Sequence, residues 1–82
     1  MDSLTITYLH RIDTTKNMAR FYEVSIEDTL FGPAVRRRWG RIGSRVGQSK
    51  MEFCDSDEEA GEMMKRFAAA KIRRGYSFGE SS

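Results

Sequence analysis

One segment constrains the fold more than any other. Ser56-Asp57-Glu58-Glu59 opens a run in which Ala60, Met63, Met64, Phe67, Ala68 and Ile72 fall mostly at three-to-four spacing, and Gly75 closes it. Ser56 is placed to cap the free amides of a first helical turn, with Glu59 reaching back to the amide of Ser56 as the second half of a capping box. Acids crowd the first turn, while Lys71, Arg73 and Arg74 crowd the last, the order that the helix dipole favours. Gly75 supplies the left-handed stop. Gly61 stands inside this helix, costs about 1 kcal/mol against alanine and needs a packing reason. A lone amphipathic helix must bury its apolar stripe on something flat, so the residues before it are expected to form a sheet.

They carry the period of strands. Leu4 to Asp13 alternates, with Leu4, Ile6, Tyr8, His10 and Ile12 on the side expected to be buried and Leu9 out of step. Asp13 to Lys16 reads as a turn, and Asn17 to Ile26, around Phe21-Tyr22-Glu23-Val24, as a second strand in a hairpin with the first. Glu27 to Pro33 holds the breaker Gly32-Pro33 and reads as a longer connection, with Leu30 and Phe31 folding back. Ala34 to Ile42 is the third strand. After a glycine-bounded turn at residues 43–47, Gln48 to Cys54 is the fourth, with Ser49, Met51 and Phe53 opposite Gln48, Lys50 and Glu52. Tyr76-Ser77-Phe78 adds a short last strand or packs down. The expected fold is α+β: a single domain with an antiparallel sheet of four to five strands and one α-helix on one face, in the order β-β-β-β-α. It spans residues 1–78, with 79–82 as a disordered tail.

Eighty-two residues leave room for one core only. The single Cys54 cannot close an internal disulfide, and Met1 to Thr7 lacks the basic start and apolar run of a signal peptide. With no apolar stretch near membrane-spanning length, these features point to a cytoplasmic protein with no membrane contact. The net charge is only +2, but its distribution is uneven. Arg36 to Lys50 holds six bases and no acid, and Asp55 to Glu62 five acids and no base. A basic stripe is the usual footprint of phosphate binding.

Catalytic constellations are hard to assemble. His10 and Cys54 are the only histidine and cysteine, and they are far apart, so no metal site and no cofactor is expected. His10 reads as a core histidine on an apolar strand face. Gly43 to Lys50 lacks the adjacent Gly-Lys of a phosphate loop, and the acids after Asp55 belong to the helix start. The chain reads as non-enzymatic. The segment with most to offer is Arg36-Arg37-Arg38-Trp39-Gly40-Arg41-Ile42-Gly43. On a strand, Arg37, Trp39 and Arg41 share a face. An outward indole there would stack on a base or sugar while the guanidiniums hold adjoining phosphates, and Gly40 would let a ligand approach the backbone. The bland reading has Trp39 buried between cationic neighbours and Arg36 to Arg38 as a solvated run. The residues alone leave both open.

Trp39-Gly40-Arg41-Ile42-Gly43 followed by Gly47-Gln48, with Phe21-Tyr22-Glu23-Val24 upstream and Lys71-Ile72-Arg73-Arg74-Gly75-Tyr76 at the helix exit, resembles the signature of the WGR domain family over about Leu4 to Tyr76. That family occurs in poly(ADP-ribose) polymerases, in proteins named as molybdate metabolism regulators, and as short stand-alone bacterial chains, which this one resembles. The resemblance implies a mostly antiparallel sheet with one helix against it. In the polymerases the domain binds DNA at a strand break, with its tryptophan on the terminal nucleotide and basic residues on the backbone. Carried over, Trp39 is the stacking platform and Arg41 the adjoining phosphate or sugar contact. Lys50 stands where the family often has a base, and Arg45 lies in the turn. Asn17 stands further upstream than the asparagine that the polymerases place before their second-strand motif. The polymerase catalytic domain has no counterpart here.

Two functions follow as expectations. The first is a nucleic-acid-binding module for DNA ends, nicks or single-stranded termini, with DNA preferred over RNA and no sequence specificity, using Trp39, Arg41, Arg37, Lys50 and Arg45. The alternative is a protein-interaction or regulatory module using the same Trp39 face, since Trp and Arg are enriched at interface hot spots. The chain is expected to be a monomer, although its polarised charge permits the basic stripe of one copy to meet the acidic helix start of another.

Overall fold

The computed structural model describes residues 5–79. Five strands and one α-helix follow in the order β1 (Thr5–Asp13), β2 (Met18–Thr29), β3 (Gly32–Arg41), β4 (Gln48–Phe53), α1 (Asp57–Arg73) and β5 (Ser77–Phe78), with a single 3-10 turn at Thr14–Lys16 joining β1 to β2. The strands form one antiparallel sheet in the spatial order β4-β3-β2-β1-β5, so each of the first four lies beside its sequence neighbour. The α+β expectation holds, including the short final strand.

Antiparallel register fixes which side chains share a face. Leu9 lies opposite Tyr22 and Tyr22 opposite Trp39, while Val24 lies opposite Arg37 and Ile26 opposite Val35. These residues face α1. Leu9, Val24 and Val35 are fully buried, and with Tyr22, Cys54, Ala60, Met64 and Tyr76 they form the core, against which Trp39, Met63 and Phe67 pack. The first strand therefore presents the opposite face from the one its apolar count suggested. Leu9 is inside, whereas Ile6 and Ile12 are 48% and 59% exposed on the uncovered face. Tyr8 is there too, stacked on Phe21 with ring centroids 6.3 Å apart, and so is His10, which lies against Gly79 rather than in the core. Leu4 lies outside the described residues.

The longer connection expected at Glu27 to Pro33 is not formed. β2 runs on to Thr29 and β3 begins at Gly32, leaving Leu30 and Phe31 as a two-residue tip. The Phe31 amide donates to Thr29 Oγ1 at 3.0 Å, that hydroxyl donates to the Gly32 carbonyl at 2.7 Å, and Gly32 takes φ +109°, which glycine adopts without strain. Pro33 is tolerated at the start of β3, and its carbonyl accepts from the Cys54 amide at 2.9 Å. Leu30 and Phe31 do not fold back: they are 98% and 83% exposed.

α1 begins as its sequence dictates, with the Glu59 amide donating to Ser56 Oγ at 3.1 Å. Glu59 Oε1 accepts from the amide of Asp55, at 2.6 Å, rather than from that of Ser56. Gly75 has φ +102° and its amide donates to the Ile72 carbonyl, ending the helix where expected. Nothing lies within 4 Å of where a Cβ on Gly61 would sit, and no packing reason for that glycine is found. The Gly79 amide donates to the Tyr8 carbonyl at 3.0 Å, and the rest of the expected tail, residues 80–82, lies outside the described residues. No described helix is long and apolar enough to cross a membrane.

Candidate functional site

The ends of β2 and β3 away from the Leu30–Phe31 tip meet the last turn of α1, and a cleft of about 420 Å³ opens between them. Arg20, Phe21, Trp39, Gly40, Arg41, Lys71 and Tyr76 line it. Counting outward from the two-residue tip brings Arg20 opposite Arg41 and Tyr22 opposite Trp39. The helix stripe that seats Met64 and Phe67 on the sheet carries Lys71, a turn further on, over the same end.

Trp39 is half-buried. Its ring lies 6.5 Å from that of Tyr22 at a 33° tilt, so one side belongs to the core while the residue also lines the cleft. The two readings of this tryptophan are therefore not exclusive. Arg41 is exposed, and its Nη1 donates to the Asn17 carbonyl at 3.4 Å. Asn17, at φ 53°, turns that carbonyl toward the cleft end of the sheet. Lys71 Nζ sits 4.9 Å from the ring centroid of Tyr22 and 5.4 Å from that of Tyr76, close enough for cation–π attraction to both. Burial, followed by the charges of Arg74, Arg20 and Arg37, pushes the Lys71 ammonium below its ordinary lysine value of 10.5. The three cationic lining residues face no described carboxylate within the lining, and a bound anion would relieve their mutual repulsion.

The other bases expected at the site, Arg37, Lys50 and Arg45, do not line this cleft. Arg37 shares the face of Trp39 but points beneath α1: its guanidinium carbon is 4.2 Å from the Phe67 ring centroid and 5.9 Å from that of Trp39, and its Nη2 is 3.8 Å from a Glu52 carboxylate oxygen. Lys50 is exposed opposite Arg37 on the edge strand β4, and Arg45 is exposed in the β3–β4 loop; neither lines the cleft. Arg36 and Arg38 occupy the uncovered face and are not a free cationic run. Arg36 pairs with Glu27 at 2.9 Å and Arg38 with Glu23 at 2.6 Å, across the strand from β2.

The backbone of Gly40 lines the cleft, but the space on its Cβ side is filled. A Cβ there would come within 3.2 Å of the Gly47 Cα and 3.3 Å of the Phe21 ring. The space is already used for close packing. Gly47 is more constrained still, because a Cβ would sit 2.8 Å from the Trp39 carbonyl oxygen. The two glycines let the β3–β4 loop press onto the backbone of Trp39 and Gly40.

Arg20, Phe21, Lys71 and Tyr76 are the lining residues that reading the sequence for function did not select. Lys71 and Tyr76 stand in the helix-exit segment that carried the family resemblance, and Arg20 becomes visible only once the hairpin register is known.

A family model for the WGR domain matches residues 5–81. The chain belongs to the WGR domain family. This is a family of nucleic-acid-binding modules. A protein of Sinorhizobium fredii (strain NBRC 101917 / NGR234), described as uncharacterized protein y4dW, is 40% identical over 70 residues, which are 84% of this WGR chain and 34% of the relative. The chain thus spans about a third of the length of the curated relative it matches. No solved structure matches. Among the described residues no group of three or more His, Cys, Asp or Glu is placed to hold a metal ion.

Proposed function

We propose that this WGR domain is a non-catalytic nucleic-acid-binding module of the cytoplasm that takes ends, nicks or single-stranded termini, DNA before RNA, in the Trp39 cleft. One observation carries the reading: a half-buried indole lines a cleft with Arg20, Arg41 and Lys71 and no described carboxylate. A terminal or unpaired base is not covered by a neighbour on its outer side. It can lie on the exposed part of Trp39 and gain about 1–3 kcal/mol from stacking. The three cations then hold the adjoining phosphates and release condensed counterions. An internal base pair in an intact duplex has no free face to offer, which is why ends and interruptions are favoured. α1 presents only its last turn to the cleft, so it does not enter a major groove to read base edges, and binding is insensitive to sequence.

Titration of a fluorescent, nicked and 5′-phosphorylated duplex at low and moderate salt tests this. Binding should weaken as salt rises, exceed that of an intact circular duplex, and fall at least about fivefold in Trp39→Ala, the equivalent of one stacked base. Absence of binding to any nucleic acid at low salt refutes the proposal and leaves the Trp39 face to a protein partner.

A further inference from the structure

The most exposed large apolar side chains among the described residues are unneeded by the turn that carries them. Leu30 and Phe31 are 98% and 83% exposed, and the hydrogen bonds that close the turn run through Thr29 and Gly32. Phe31 meets the edge of Phe53, itself 57% exposed, with ring centroids 6.2 Å apart at 88°. The Cys54 amide bonds to the Pro33 carbonyl, so the chain that carries the exposed acids Asp55, Asp57 and Glu58 leaves from the base of the tip, where Asp28 stands opposite Pro33. The apolar knob thus has acids at its base, in Asp28 and in the segment that leads into the helix.

Its complement lies at the other end of the sheet. The Trp39 cleft has aromatic walls and an unopposed set of cations. At about 420 Å³ it exceeds the roughly 150 Å³ that accepts a benzene-sized ring in a protein cavity. Tip and cleft are separated by the length of β3, about 30 Å at strand rise, so one chain cannot fill its own cleft. We propose that the Leu30–Phe31 tip of one copy docks in the Trp39 cleft of a second copy, head to tail, with the acids of Asp28 and the helix start facing Arg20 and Arg41. Such a contact is heterologous: every docked copy leaves one tip and one cleft free, and chains grow with concentration. The acids around the knob oppose the alternative of insertion into an anionic lipid surface. The proposal goes beyond nucleic-acid binding and does not need it, although an oligonucleotide in the cleft would compete with the tip.

Sedimentation of the full chain at low salt, over a concentration series reaching the millimolar range, provides the test. The wild type should show a mass rising with concentration and falling on addition of salt. Combining Leu30→Asp with Phe31→Asp should weaken self-association about thirtyfold or more, the effect of losing a hot-spot anchor. That variant should keep its melting temperature and its oligonucleotide binding, since neither side chain supports the fold or lines the cleft. Arg41→Glu, altered only at the cleft, should also stay monomeric alone. An equimolar mixture of the two variants should form a dimer and stop there, because only one intact tip meets one intact cleft. A wild type that is monomeric throughout, a tip variant that associates like the wild type, or a mixture that does not pair each overturns the proposal; the first would assign the knob to another protein.

Discussion

Gly47 and Lys71 illustrate how much a single residue decides here. A Cβ on Gly47 would meet the Trp39 carbonyl oxygen at 2.8 Å, and backbone cannot swing away as a side-chain end can. Gly47→Ala should therefore destabilise the fold by about 1–3 kcal/mol, the range for overpacking a tight site. Urea unfolding should show this as a lower midpoint with an unchanged slope. Trp39 and the cleft should be disturbed with it. Lys71 acts through charge. Burial and neighbouring cations lower its proton affinity in the folded chain, so the unfolded chain keeps that proton to higher pH. The contribution of Lys71 to stability should consequently rise with pH between the lowered value and the ordinary 10.5, against the falling contributions of Tyr22 and Cys54, whose values burial raises, so it should be read as the difference in pH dependence between wild type and Lys71→Met. Binding carries the opposite sign. A phosphate in the cleft favours the ammonium, so affinity should fall as pH climbs through the lowered value, whereas Lys71→Met should bind weakly and without this pH dependence.

At the scale of elements, α1 gives two measurements of opposite sign. Ser56→Ala removes the acceptor for the Glu59 amide and should cost about 1 kcal/mol. Gly61→Ala adds a methyl where nothing lies within 4 Å and should stabilise by about 0.5–1 kcal/mol, read as a higher melting temperature. The helix was legible from sequence because its cap, stripe and stop are local signals that tertiary contacts merely confirm. The first strand was legible as a strand, but its buried face was not. Ile6, Tyr8, His10 and Ile12 outnumber Leu9, but burial depends on which face α1 covers, and Phe21 lies beside Tyr8 on the uncovered side to form a stacked pair. Gly32-Pro33 also misled, because a proline at a strand start interrupts nothing when its missing amide is not needed. The site divides in the same way. Trp39 and Arg41 are neighbours in one motif and could be found by reading along the chain. Arg20 reaches them through a register set by the Leu30–Phe31 tip, and Lys71 through the docking of α1, and neither relation is visible to a reader moving residue by residue.

For the whole molecule, the pairing of charges matters more than their number. The run from Arg36 to Arg38 supplies half of the basic stripe that reads in sequence as a phosphate-binding footprint, yet each of its guanidiniums has a glutamate partner within 4.0 Å. Two of the three also lie on the sheet face away from the cleft. The cations that line the cleft, with no described carboxylate in that lining, are Arg20, Arg41 and Lys71, and these should set the electrostatic part of binding. Each phosphate neutralised contributes roughly 0.7–0.9 to the slope of log affinity against log salt. Three contacts therefore predict a slope of about −2 to −3, much shallower than a stripe using all six bases of residues 36–50 would give. Arg20→Gln should reduce the slope by about one and weaken binding to all sequences alike. Arg36→Gln and Arg38→Gln together should leave the slope where it was, with a modest loss of stability, because each breaks a partly exposed ion pair on the uncovered face. If the paired arginines of the open face changed the salt dependence and Arg20 did not, nucleic acid would be lying on the uncovered side of the sheet and the Trp39 cleft would not be its site.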